Sequence, residues 1–100
     1  MMNSTTQYPF TFMNVNTAPN GRGVYFLYHG EELTYIGKSI TTVRERLQSH
    51  LAGREGPCTE SATSFSTMAA LSPIEAEKKL LQEFEATHGR LPRCNDVMPG

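Results

Sequence analysis

The run GVYFLYHGEELTYIG, residues 23–37, constrains the fold of this chain more than any other stretch. Two segments rich in β-branched and aromatic residues, Val24 to Tyr28 and Leu33 to Ile36, flank HGEE, and such segments joined by a short glycine-containing interruption form a β-hairpin. A three-residue loop of His29, Gly30 and Glu31 sets Tyr25 opposite Tyr35 and Leu27 opposite Leu33, all on one face. A four-residue loop sends the two tyrosines to opposite faces, so register decides whether they meet.

The remaining segments are read from their punctuation. Residues 1–22 are polar and broken by Asn14, Asn16, Pro19, Asn20 and Gly21, with a short extended piece expected at 8–13. Thr42 followed by Glu45 is a capping box that opens a helix, which Gly53 closes. Residues 53–62 read as loop and 63–69 as a third strand. Ser72, Pro73 and Glu75 supply a cap, a first-position proline and a capping carboxylate for a second helix, which runs to about His88 before Gly89 and Pro92. The order is hairpin, helix, strand, helix and tail, and one hundred residues hold one such domain and no second.

Apolar residues make up 38% of the chain, enough for a small core without help from a metal or disulfide. No apolar run approaches the roughly 18 residues needed to cross a bilayer, and the start lacks a basic segment followed by an apolar one. The expectation is a soluble cytoplasmic protein. Cys58 and Cys94 lie far apart in sequence, and two reduced structural thiols are expected.

Several residues resist a purely structural account. On a helical wheel started at Ile74, the apolar stripe is Ile74, Leu80, Leu81 and Phe84, and Glu77 falls at roughly 300°, in its middle. A carboxylate there needs a cation, a metal ion or a proton, because an unpaired buried charge is costly, and the purely structural alternative is an ion pair with an arginine. On the first helix Val43, Leu47 and Leu51 form the stripe, with Arg46 and His50 together along one border. Lys38 and Ser39 follow Gly37, but a phosphate-binding loop would need glycine where Glu32 stands. The histidines and cysteines do not reproduce zinc-ligand spacing, and no serine sits in a GxSxG elbow.

Gly23-Val24-Tyr25, then Tyr35-Ile36-Gly37-Lys38, Arg46 with His50 four residues on, Glu77 in a later helix and Asn95 near the end together resemble the GIY-YIG nuclease domain. The resemblance covers residues 23–95, leaving 1–22 as a partly extended N-terminal extension and 96–100 as a tail. It implies a small α/β domain of the α+β type, with a three-stranded antiparallel sheet flanked by helices. The implied activity is hydrolysis of phosphodiester bonds with one divalent metal, Mg²⁺ or Mn²⁺, and Glu77 as its only protein ligand. A hard cation that keeps most of its waters needs no more than one or two carboxylates. The resemblance makes Tyr25 and Tyr35 the two family tyrosines, one of them the general base, with Lys38 supplying the positive charge that renders a phenolate accessible. Arg46 corresponds to the arginine that meets charge on the phosphate. His50 is a phosphate contact or proton-transfer aid, and Asn95 braces the site.

The chain carries a net charge of -1, which speaks against binding nucleic acid by bulk charge. The sum conceals an uneven distribution: residues 22–54 balance to +2 and residues 55–100 to -3. Positive charge thus gathers where most of the candidate residues lie, and weak, salt-sensitive binding is expected. DNA is the expected substrate, with RNA the alternative, and specificity would come from substrate shape, a homodimer or a protein partner. The competing expectation is a non-catalytic module that holds a nucleic-acid end or a protein in the same pocket.

Overall fold

A computed structural model describes residues 6–95. The hairpin is its centre: β2 (Gly23–His29) and β3 (Glu32–Ser39) pair antiparallel. Two further strands, β1 (Tyr8–Pro9) and β4 (Ser64–Ala69), complete an antiparallel sheet in the order β1-β4-β2-β3. The helices are α1 (Phe12–Val15), α2 (Val43–Leu51), α3 (Pro57–Glu60) and α4 (Pro73–His88).

The strand β2 is flanked on both sides, and Gly23 to Leu27 are all buried. Alternation along it feeds two cores. Tyr25 and Leu27 join Phe10, Val15, Val43, Leu47 and Phe65 in one. Val24 and Phe26 join Ile36 and Leu81 in the other, beneath α4. The sheet is therefore sandwiched between α1 with α2 on one side and α4 on the other, which explains why GVYFL reads as a continuous apolar run rather than an alternating one.

The sheet has four strands, not the three expected. Tyr8 pairs with Phe65 and Pro9 with Ser64, extending the edge of β4, and Phe10 just beyond is buried against the Phe65 ring. The extended piece expected at 8–13 is thus cut short, because Thr11 caps α1 by accepting from the Asn14 amide. Within the expected loop 53–62, Pro57 starts the single turn α3. The expected tail 96–100 lies outside the described residues.

Hairpin register also departs from expectation. Gly30, with φ 62°, and Glu31 form a two-residue turn, and a bulge beside Leu27 and Tyr28 absorbs Thr34. Tyr25 consequently faces Gly37, and Leu27 faces Tyr35. The tyrosines share a face as diagonal neighbours rather than a direct pair. Both motif glycines are required by close approach: a Cβ on Gly37 would lie 2.5 Å from the Tyr25 hydroxyl, and one on Gly23 2.5 Å from the Met68 carbonyl oxygen.

Helix α2 starts as read, with the Thr42 hydroxyl accepting from the Glu45 amide at 3.0 Å. Helix α4 does not use the Ser72 side chain as a cap. Its buried line runs through Pro73, Glu77 and Leu81, and Ile74 is turned to solvent, because proline at the first position packs inward in its place. No described helix is long and apolar enough to cross a membrane.

The expected free thiols are a disulfide: Cys58 and Cys94 are bonded across 36 residues of sequence. The chain returns after α4 along the outer edge of β3, where the Cys94 amide donates to the Thr34 carbonyl at 2.7 Å. That return brings two cysteines distant in sequence within bonding reach.

Candidate active site

The floor of the site is the hairpin face that carries both tyrosines, roofed by α2. His50, at the last turn of α2, is only 1% exposed and lies between them, with its ring centroid 5.4 Å from that of Tyr25 and 5.1 Å from that of Tyr35. Its Nε2 is 2.8 Å from the Tyr25 hydroxyl, and its Nδ1 is 2.8 Å from the Thr59 hydroxyl in α3. Burial, helped by the neighbouring Arg46 cation, lowers the His50 pKa to about 4. The ring is neutral at pH 7.

Tyr25 is wholly buried and Tyr35 half-buried. Burial raises the pKa of both phenols, while Arg46 opposes the rise in each. For Arg46 itself, burial works against the cation but is outweighed by Tyr25, Glu55 and Tyr35, which hold it charged. The positive charge beside the tyrosines therefore comes from Arg46, not from Lys38. Lys38 is on β3 with its ammonium 3.2 Å from Glu77 Oε1, so its charge is directed at the carboxylate across the gap to α4.

Glu77 is buried, as its place on the wheel requires. Its partner is Lys38 rather than an arginine. The contact has ion-pair but not hydrogen-bond geometry, and Oε1 has no hydrogen-bond partner. Arg46 instead meets Glu55, with 3.4 Å between Nη1 and Oε2, while Ser49 donates to the same carboxylate oxygen at 3.0 Å. The Arg46 Nε is buried without an acceptor.

Asn95 lies across the outer edge of β3. Its side-chain oxygen accepts from the Ile36 amide and its side-chain NH₂ donates to the Ile36 carbonyl, both at 3.0 Å. One side-chain amide thus does the work of a further strand at an otherwise open edge. The adjacent Cys94 ties this segment to α3.

A cavity of about 550 Å³ opens among these elements, lined by Tyr35, Lys38, His50, Glu55, Glu77 and Asn95 together with the disulfide. Of the seven residues singled out in the sequence, five line it: Tyr35, Lys38, His50, Glu77 and Asn95. Tyr25 stands behind through His50, and Arg46 through Glu55. Sequence reasoning missed Glu55, Thr59 and the disulfide. Each belongs to a stretch with no periodicity, and only the packing of α3 against α2 shows their place.

The donor set fits a hydrated divalent cation and no other common metal site. Among the described residues no group of three His, Cys, Asp or Glu side chains could hold a metal. Glu77 is the one carboxylate among the described residues with a buried oxygen lacking a hydrogen bond, in a cavity with room for waters and a phosphate.

Comparison with known proteins bears on the fold that carries this site. The chain is similar in fold to the GIY-YIG N-terminal endonuclease domain of UvrC from Thermotoga maritima bound to magnesium, its catalytic divalent cation. The TM-score is 0.67 at 22% identity, covering 84% of this chain and 93% of that one. Two point variants of that domain, each bound to its catalytic divalent cation, match similarly. A tyrosine-to-phenylalanine variant gives a TM-score of 0.64 at 22% identity over 85% of this chain and 93% of the other. An asparagine-to-alanine variant gives 0.60 at 23% identity over 73% and 87%. No curated protein sequence matches the chain. The GIY-YIG catalytic domain profile matches residues 22–89, and with more than half its length so matched the chain belongs to the GIY-YIG family.

Proposed function

We propose that this protein is a metal-dependent endonuclease that hydrolyses phosphodiester bonds in DNA by in-line attack of water. The observation that carries the reading is Glu77: a buried carboxylate, one oxygen without a hydrogen bond, facing the same cavity as Tyr35, Lys38 and His50. Glu77 would hold Mg²⁺ or Mn²⁺, which when bound neutralises charge on the phosphate and stabilises the leaving oxygen.

The chain's own side chains divide the remaining work. Tyr35 reaches the cavity and Tyr25 does not, so Tyr35 is the tyrosine placed to take a proton from water, with Tyr25 and His50 supporting it from behind. Burial makes both phenols harder to ionise and Arg46 opposes this only in part, so Tyr35 would have to give up its own proton before taking one from water. The Arg46 Nε lacks an acceptor, and its fork suits two oxygens of a phosphate that displaces Glu55. Lys38 contributes charge at the mouth. Asn95 holds β3, and with it Tyr35 and Lys38, in place.

The Lys38–Glu77 ion pair favours a second reading, because it balances the Glu77 charge without a metal. On that reading the domain is a non-catalytic module that binds nucleic acid or a protein. One assay separates the two. Purified protein is incubated with Mg²⁺ or Mn²⁺ and single-stranded, duplex, branched and flapped DNA, with RNA counterparts in parallel. Metal-dependent cleavage that Glu77→Ala abolishes supports the nuclease, and activity undiminished in Glu77→Ala overturns the mechanism. Nucleic-acid binding without cleavage, surviving Glu77→Ala, establishes the module instead. Selection of the cleavage site would rest on DNA shape, a homodimer or a protein partner. As for location, the disulfide is the form expected where thiols are not kept reduced, and it weighs against the cytoplasm.

A further inference from the structure

The Cys58–Cys94 bond belongs to neither hydrophobic core; both cysteines line the active-site cavity, Cys58 exposed and Cys94 half-buried. Each stands one residue before a side chain that touches the site. Thr59 follows Cys58, and its hydroxyl oxygen lies 2.8 Å from His50 Nδ1. Asn95 follows Cys94 and makes both 3.0 Å hydrogen bonds to Ile36, in the strand that carries Tyr35 and Lys38. One covalent bond therefore joins the segment packed on His50 to the segment that braces β3.

Little else fixes either segment. Of residues 54–61 only Thr59 is buried, and α3 is a single turn whose cap residue, Gly56, offers no side-chain hydrogen bond. Of residues 89–95 only Pro92 is buried. The ion pairs that tie the two segments down, Glu55 with Arg46 and Arg93 with Glu32, span 3.4 and 3.3 Å between solvent-facing side chains, and such pairs add little stability. Segments with so few buried contacts are the ones that open locally while a core stays folded.

We infer that the Cys58–Cys94 bond is a redox switch on the site. Oxidised, it holds α3 and the Cys94–Asn95 segment in place; reduced, it lets both open while the two cores stay folded. The reductant is a dithiol. One of its thiolates attacks a cysteine sulfur and displaces the other cysteine as a thiolate, which takes up a proton; its second thiol then resolves the mixed disulfide. Two electrons and two protons pass to Cys58 and Cys94, and the reductant leaves as its own disulfide. The consequence for cleavage rests on the nuclease reading: the site is slack in a compartment that keeps thiols reduced and complete in an oxidising one.

The test reads local opening and cleavage separately. Amide hydrogen exchange is followed by nuclear magnetic resonance on the intact protein at pH 7 without metal or nucleic acid, first oxidised and then with excess dithiothreitol. Reduction should speed exchange of the Ile36 and Cys94 amides by about tenfold or more and leave the buried β2 amides of Val24 to Leu27 protected. With Mg²⁺ and the DNA panel, the reduced protein should cleave more slowly by about tenfold or more, and reoxidation should restore the rate. Cys58→Ser combined with Cys94→Ser should cleave at the reduced rate with or without dithiothreitol. Unchanged exchange at Ile36 and Cys94 overturns the inference, and so does loss of protection throughout β2, which would make the bond a requirement of the whole fold. Cleavage that differs by less than about twofold between the two redox states also overturns it. A redox-dependent Ile36 amide in a protein that cleaves nothing in either state would sink the nuclease reading alone and leave the switch standing.

Discussion

On the wall formed by β2, α2 and α3, Tyr25, His50 and Thr59 are buried and joined by contacts of 2.8 Å. On the wall formed by β3 and α4, Lys38 comes within 3.2 Å of Glu77 Oε1, and that same oxygen has no hydrogen bond. Tyr25, His50 and Thr59 are neutral and their mutual contacts lie inside the protein, so perturbing them costs folding energy. The second wall carries formal charge that meets an ion-pair partner but no hydrogen bond, and perturbing it changes what can bind. A site with one closed wall and one open wall keeps its shape while leaving a place for an external cation and phosphate.

The sharpest way to break the comparison is Glu77→Gln. Cleavage should fall by about 10³-fold or more, the scale for removing a principal electrostatic stabiliser. Its urea midpoint should move little, because the Lys38 head stays partly exposed and can be solvated. A large stability loss in this variant would show that the open wall is structural.

Removing the cross-link addresses the closed wall. Cys58→Ser combined with Cys94→Ser should lower stability by about 3–4 kcal/mol, the chain-entropy value for a loop spanning 36 residues, read by urea denaturation. A variant as stable as the parent would separate the disulfide from the fold.

Acid should act on the closed wall too. The folded His50 pKa is about 4, below the ordinary value of 6.5. Between those values the unfolded chain binds the extra proton, so stability should fall as pH drops from about 6.5 to 4, by at most about 3 kcal/mol. His50→Gln should lose that slope, and denaturation curves at pH 7, 5.5 and 4 would measure it.

Gly37→Ala strikes where the walls meet. Its methyl group would crowd the Tyr25 ring and hydroxyl, and about 1–3 kcal/mol of destabilisation is expected, with loss of the Tyr25–His50 contact in nuclear magnetic resonance spectra. Thr42→Ala, at the end of α2 opposite His50, should cost only about 1 kcal/mol in thermal melts and leave the site's spectra unchanged.

Glu77 illustrates what could be read from the sequence. Its burial followed from helical period alone, although the wheel misplaced Ile74, because proline at the head of α4 shifted the buried line by one residue. The sequence left the shared face of the two tyrosines to the hairpin register, and the direct pairing expected from a three-residue loop gives way to a diagonal one because a bulge takes up Thr34. Arg46 and His50 stood out by their spacing. Their partners Glu55 and Thr59 did not, because both lie in a stretch without hydrophobic period and acquire meaning only when α3 folds against α2.

Residue type and local spacing by themselves determined the hairpin, the two long helices, the burial of Glu77 and the pairing of Arg46 with His50 on one helix border, because strand alternation and helical rotation act within a few residues. Only the tertiary structure decided the edge strand β1, the Cys58–Cys94 bond, the hold of Thr59 on His50 and that of Asn95 on Ile36. The last two contacts join residues 9 and 59 apart in sequence. They form only once register and layer packing have brought distant segments together, and no local pattern in the chain encodes that step.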